Sequence, residues 1–240
     1  MKTLPLFFAA VILIYSGCKS PEQKISKPEV DASGLRQLIV LATNGSKIAN
    51  DSLAGLVDQS TSVQAFNELK VESIQATPAK KLFTVLIEYP NPLYNRFAVY
   101  DQSMNPLLID KSLNGWLSME PLTVDSVRFV KVMESFNSKD ILEFERLSLY
   151  KIENDSVYLA LRIFTKFKEP TSINTQKIQK FNRDTILTQI NTPAFRRNIS
   201  DAFYFNNETK SYRSQNDLFK QFILNQIKNI TQPVQSPQIE

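Results

Sequence analysis

The sequence predicts an α+β fold: helices at the start, a curved antiparallel sheet of consecutive hairpins as the body, and an amphipathic helix packed on that sheet at the end. Three observations carry the expectation. Apolar residues recur at helical spacing between Ser33 and Leu69. From Lys81 to Arg213 they alternate, or crowd into short runs of Val, Ile, Phe, Tyr and Leu. Helical spacing then returns from Leu218 to Ile230.

Taken in order, Ser33 offers a cap for a first helix carrying Leu35, Leu38, Ile39 and Ala42, which Asn44-Gly45 would stop. Leu38 to Leu41 also fits a short buried strand. A second helix, opened by Asn50-Asp51-Ser52, places Leu53, Leu56 and Val57 on one side, and a third runs through Val63, Phe66 and Leu69. Strands follow at 82–89, 95–101, 106–110, 126–135, 141–152, 156–168, 174–181, 184–190, 201–206 and 210–213, with no βαβ rhythm between them.

The longest hairpin is the most informative. Val157, Leu159, Leu161, Ile163 and Phe167 alternate on one face, and a loop of Asn154, Asp155 and Ser156 sets Glu153 against Val157. Leu149 then faces Leu161 and Leu147 faces Ile163. Leu142 and Phe144 are out of phase with Leu147 and Leu149, so a bulge near Glu145-Arg146 is expected. Near the end, Ser214 and Asp217 resemble a capping box, and Leu218, Phe219, Phe222, Ile223, Ile227 and Ile230 give the helix from Gln215 to Ile230 its apolar face.

The flanks differ in character. Residues 1–17 hold Lys2 and an uncharged apolar run from Leu4 to Ile14, the length of a signal-peptide core and well short of the roughly 20 residues a spanning helix needs. The run ends in Tyr15-Ser16-Gly17-Cys18, which resembles the lipobox of bacterial lipoproteins. Ser16, Gly17 and Cys18 match that pattern; Tyr15 stands where an aliphatic residue is usual. The resemblance implies cleavage before Cys18, acylation of its thiol, palmitate included, and a membrane-anchored protein of the cell envelope. Lys19, rather than Asp, points to the outer membrane, facing the periplasm. Residues 18–32 then read as the lipidated cysteine and a flexible tether with Pro21 and Pro28, residues 33–231 as a single domain, and 232–240 as a disordered tail.

Composition removes several function classes. The 28 basic and 24 acidic residues leave +4, too mild a balance for a nucleic-acid partner. The chain has no histidine and one cysteine. With Cys18 committed to lipid, the Ser-His-Asp and Cys-His arrangements, most zinc, copper and haem sites, and an intramolecular disulfide all fall away, and no metal or cofactor is expected.

What remains is carboxylate, Lys, Tyr, Ser and Thr chemistry. Asp101-Gln102-Ser103-Met104-Asn105 has oxygen side chains at alternate positions, but Pro106 stands where a calcium loop needs Gly, so it reads as a polar hairpin loop. Glu143 and Glu145 alternate on one strand face. A glycosidase needs such a pair, with one member desolvated. Trp116, after Asn114-Gly115, is expected in a loop, where its indole would either contact a sugar or protein or plug the end of the core. Arg196-Arg197 would grip an anion or stay solvated.

Four triplets beginning at Asp51, Asp125, Asp155 and Asp184 resemble the Asp-[Ser/Thr]-apolar acceptor of a bacterial envelope O-glycosylation system. That resemblance implies glycans on Ser52, Ser126, Ser156 or Thr185; local capping of strand and helix starts explains the same triplets. The expectation for function is a non-enzymatic envelope lipoprotein that acts as a binding or assembly module, with the membrane and an unknown protein or glycan as partners. The alternatives are a carboxylate-dependent hydrolase of envelope polysaccharide and a carrier of an apolar ligand between sheet and helix.

Overall fold

Asp31 rather than Ser33 opens the first helix, because its carboxylate accepts the Gly34 N–H at 2.7 Å. A computed structural model of the protein describes residues 31–57, 66–78, 80–138, 142–154, 156–193 and 199–231. A compact unit begins at Asp31. Helix α1 spans Ala32–Thr43, buries Leu35, Ile39 and Ala42, and stops at Asn44-Gly45, where Gly45 takes φ 81°. Helix α2, Lys47–Val57, begins three residues before the expected start and buries Ala49, Leu53, Ala54 and Val57.

The expected third helix is replaced by a strand. Val63 lies outside the described residues, Phe66 is not helical, and Leu69 belongs to β1, Glu68–Thr77. The cause is hairpin pairing: Leu69 opposes Ile87 and Val71 opposes Val85 in β2, Lys80–Glu88. With β3, Arg96–Tyr100, and β4, Pro106–Asp110, these form a four-stranded antiparallel sheet in chain order. Strand β2 is buried on both faces. Leu82 and Leu86 look toward the second sheet, whereas α1 lies beside Val71, Ser73, Lys81 and Phe83.

The second sheet has eight antiparallel strands, again in chain order: β5 Trp116–Val124, β6 Val127–Ser138, β7 Leu142–Glu153, β8 Ser156–Glu169, β9 Ser172–Phe181, β10 Thr185–Asn191, β11 Ile199–Asn206 and β12 Ser211–Arg213. Strand β5 corrects the loop expected around Trp116. Its Pro121 argues against a central strand, but β5 is the sheet edge, where a missing N–H is tolerated.

In the β7–β8 hairpin, Leu149 faces Leu161 and Leu147 faces Ile163 as expected, by a different route. Glu153 pairs with Ser156, so the loop is one residue shorter than read, and a register shift at Leu149/Tyr150 leaves Ala160 as the extra residue that restores the phase. The second shift, at Glu145/Arg146, falls where the sequence required one, but Thr165 of β8 is the residue passed over. Phe144 therefore keeps the phase of Arg146, Ser148 and Tyr150, opposite to Leu147 and Leu149.

These phases divide the core. On one face of β5–β8, Leu117, Val130, Val132, Tyr150, Ile152 and Val157 pack on Leu82, Leu86, Phe97 and Val99 of the first sheet. On the other, Phe129, Leu147, Leu149, Leu161 and Ile163 meet Ile186, Phe203 and Tyr212. That second layer exists because β8 and β9 pair only from Lys166↔Thr175 to Glu169↔Ser172 and then part, so β9–β12 fold back over β6–β8. Lys151, buried in β7, crosses this layer with its ammonium 4.1 Å from the Phe205 ring centre.

Helix α3, Leu218–Thr231, seals the open end, setting Phe219 and Ile223 against Phe167 and Ile190. The side chains of Ile227 and Ile230 lie outside the described residues. The expected Ser214 cap is present, accepting the Asp217 N–H at 3.0 Å, but Asp201 of β11 completes it by accepting from Ser214 Oγ at 2.6 Å and from the Leu218 N–H at 3.0 Å. Among the described residues no helix is long and apolar enough to cross a membrane.

Candidate binding cleft

The chain crosses from the first sheet to the second through residues 111–115, a segment without ladder bonds of its own. Several of its backbone groups, and the N–H of Leu117 just beyond it, bond to side chains reaching in from the strands on either side. Asp110 Oδ1 accepts from the Ser112 N–H at 2.8 Å, and Arg146 Nη2 donates to Ser112 O at 2.9 Å. The Asn114 N–H donates to Glu134 Oε1 at 2.6 Å, Asn95 Nδ2 donates to Gly115 O at 2.5 Å, and the Leu117 N–H donates to the buried Glu88 carboxylate. Burial pushes the Glu88 carboxyl above its ordinary range, against the pull of that Leu117 bond.

Two charge pairs underlie the crossing. Arg146 grips Glu134 with two bonds, Nε to Oε2 at 2.7 Å and Nη2 to Oε1 at 2.6 Å. Arg162 donates to Asp110 Oδ2 at 2.6 Å, Ser148 Oγ at 2.8 Å, Ser112 Oγ at 2.5 Å and the Tyr150 hydroxyl at 3.1 Å, while Tyr150 donates to Asp110 Oδ2 at 2.7 Å. Burial alone would raise the Asp110 carboxyl; the bonds from Ser112 and Tyr150 and the charge of Arg162 outweigh it and hold the group below its ordinary range.

Beyond the edge of this network the same strand faces open into a cleft of 270 Å³, lined by Asn114, Glu134, Phe136, Phe144, Arg146 and Phe164. The register explains the gathering: Phe136 opposes Phe144, Glu134 opposes Arg146, and Arg146 opposes Phe164. The Phe144 ring centre lies 6.4 Å from Phe136 and 6.1 Å from Phe164, both pairs tilted. Asn114 Oδ1 is buried and accepts no hydrogen bond from the described residues. Arg146 uses Nε and Nη2, leaving Nη1 without a partner among them. A second hollow of 230 Å³ adjoins across Arg146 and Phe164, lined also by Arg162, Ile163, Asp217 and Lys220. Burial raises the Asp217 carboxyl there; Lys220 opposes the shift and Asp201 adds to it.

The residues singled out from the sequence lie elsewhere. Cys18, Arg196 and Arg197 are outside the described residues. Trp116 is 64% exposed, so it does not plug the core, and it opposes Ser135, which puts it on the face away from Glu134 and Phe136. Glu143 and Glu145 share Lys166, with Glu145 at 3.3 Å, and the Lys166 hydrogen bond holds Glu143 below its ordinary range. Ser52 sits exposed in α2, Ser126 in the β5–β6 turn at φ 65°, Ser156 at the start of β8 and Thr185 at the start of β10. The loop at Asp101 is closed by its own bonds, Asp101 accepting from the Asn105 N–H at 2.9 Å and from Asn105 Nδ2 at 3.0 Å.

Asn114, Phe136, Phe144, Arg146 and Phe164 were not singled out from the sequence. The available signal was Arg146 and Arg162, two charges at strand positions in phase with core residues. No protein family, curated protein or solved structure matches this chain.

Proposed function

We propose that the protein is an envelope lipoprotein, anchored through lipid on Cys18 at the outer membrane and facing the periplasm, whose folded domain is a non-enzymatic binding module using the Phe136–Phe144–Phe164 cleft. The cleft carries the reading. It combines an apolar enclosure with a few fixed polar groups, the usual composition of a ligand pocket, and it stands on rigid strands. The carboxylate-hydrolase alternative lacks comparable support, because a general acid must hold its proton and Lys166 favours ionised Glu143. Ser52, Ser126 and Ser156, all exposed, remain the acceptors for any envelope O-glycan.

The binding reading is tested by photo-crosslinking in intact cells with para-benzoylphenylalanine placed at Phe144 or, as a control, at the exposed Tyr204 on β11. A discrete adduct from position 144 and none from 204 is expected. No adduct at 144, or the same adducts from both positions, removes the reading. The anchor is tested separately: Cys18→Ser should move the protein from the membrane to the soluble fraction, and unchanged membrane association would refute lipidation at this residue.

A further inference from the structure

We infer that the outer edge of β1 pairs antiparallel with β1 of a second copy of this chain, joining two four-stranded sheets across a two-fold axis at Val71. An open sheet edge is a template for another strand, and proteins blunt such edges with proline, shortness or a covering element. Among the described residues the sheets end at four strands, β1 and β4 in the first and β5 and β12 in the second. Strand β4 has five residues and opens on Pro106, β5 carries Pro121, and β12 has three residues. Strand β1 has ten residues with neither proline nor glycine, and its one irregularity, between Gln75 and Thr77, lies at its far end.

The sequence of β1 selects a copy of itself as the occupant. Residues opposite each other in a ladder share a face, so the two-fold axis must pass through one residue that meets its own copy. Centred on Lys70, that lysine opposes itself and Glu68 opposes Glu72; centred on Glu72, two glutamates meet. Centred on Leu69, the strand runs out after Glu68, and centred on Ser73, the ladder reaches the irregularity at Gln75 two residues from the axis. Centred on Val71, Lys70 opposes Glu72 on both sides of the axis, and the ladder runs from Glu68 to Ile74. Opposite charges placed in this way stabilise a sheet and like charges destabilise it. In the single chain Lys70 lies 3.2 Å from Glu68, a weak exposed pair that leaves both groups available.

The surroundings of the edge fit the same register. A hollow of 190 Å³ lies on the α1 side of β1, where Val71 and Ser73 join Ile39, Val40 and Thr43 in its lining. Another of 170 Å³ lies toward the second sheet, where Ile74 and Gln75 meet Pro121, Leu122 and Arg128. Arg128 has no hydrogen bond or ion pair among the described residues. With the axis at Val71, the second copy's Leu69 stands beside Ser73 at the first hollow, near the exposed Val40. The second copy's Glu68 stands beside Ile74, at the hollow that holds Arg128. An apolar side chain thus meets an apolar wall and a carboxylate meets an unpaired cation, twice over by symmetry.

The test uses the full chain with Cys18→Ser, which removes the one native thiol, purified in a nonionic detergent. Cysteine replaces Leu69, Val71 or Ser73 in turn, and oxidation by copper phenanthroline is followed on non-reducing gels. Directly opposed residues have Cα atoms about 4.5–5.5 Å apart, within disulfide reach, whereas a residue two positions from the axis lies about 13 Å along the strand from its own copy. A covalent dimer is expected from Val71→Cys and from neither Leu69→Cys nor Ser73→Cys alone, while a mixture of those two should yield their heterodimer. Adding Glu72→Lys to Val71→Cys should lower the dimer yield roughly tenfold, since two pairs turn from attraction to repulsion, and adding Lys70→Glu to that variant should restore it. No dimer from Val71→Cys, equal yields at the three positions, or a yield that Glu72→Lys leaves unchanged or the double reversal fails to restore overturns the inference. None of these residues lines the Phe136–Phe144–Phe164 cleft, so its binding role is judged separately.

Discussion

Arg162→Ala is expected to destabilise the domain by about 3–5 kcal/mol, the usual result of removing one partner from a buried charge pair. The side chains of Arg162 and Asp110 are 17% and 9% exposed, and the guanidinium also serves Ser112, Ser148 and Tyr150. Without it, the Asp110 carboxylate keeps only Ser112 and Tyr150 as its donors, and the tie between β4 of the first sheet and β8 of the other is cut. Urea denaturation checks the value. A loss below about 1 kcal/mol, the range of exposed pairs, would show that the network contributes little.

The same network sets a pH signature. The folded Asp110 carboxyl titrates below its unfolded value, so its contribution is fully present above the unfolded value near pH 4 and is lost as pH falls through the folded one. The stability gap between the wild-type protein and Arg162→Ala should therefore narrow in acid. A gap of constant size from pH 7 to pH 3 would show that Arg162 acts by packing rather than by charge.

Gly115→Ala is the second large effect. Gly115 holds φ 95°, and a Cβ there would lie 2.5 Å from the Ser135 carbonyl oxygen and 2.8 Å from its carbon. Backbone at that distance must move. Overpacking costs typically 1–3 kcal/mol and the left-handed conformation roughly 1 more, so a loss of about 2–4 kcal/mol is expected. The displacement lies between Asn114 and Phe136, so crosslinking from position 144 should weaken at temperatures where the variant remains folded. A variant of wild-type stability would mean that β6 can give way at Ser135 without cost.

Strong alternation from Val157 to Phe167 marked β8 as a strand, but the pairing of Leu149 with Leu161 and Leu147 with Ile163, read from a three-residue loop, holds only because the extra residue Ala160 makes up for a loop one residue shorter. The bulge needed near Glu145-Arg146 was inferable from the same phase conflict, although not the strand that would carry it. Strands β1 and β5 were not legible. Leu69, Val71 and Ile74 satisfy no single period, and Pro121 disqualifies a central strand without excluding an edge one. The cap of α3 by Asp201 and the grip of Arg146 on Glu134 join residues 17 and 12 apart, across hairpins whose register had first to be known. The cleft was missed for the same reason, since its three phenylalanines come from three strands and converge only through two ladders and a bulge.

The strictly sequential pairing of both sheets bears on how the domain forms. Each strand finds its partner immediately upstream, so each added ladder closes a short loop at little entropic cost, unlike the distant pairings that slow many all-β proteins. A chain delivered from its N-terminus can complete β1–β4 before β5 is available. The late event is the return of β9–β12 over β6–β8, which brings Phe203 and Tyr212 onto Phe129 and cannot begin until the chain is almost fully supplied. Until then one face of β6–β8 stays bare, and that interval is when the protein is most exposed to association with copies of itself.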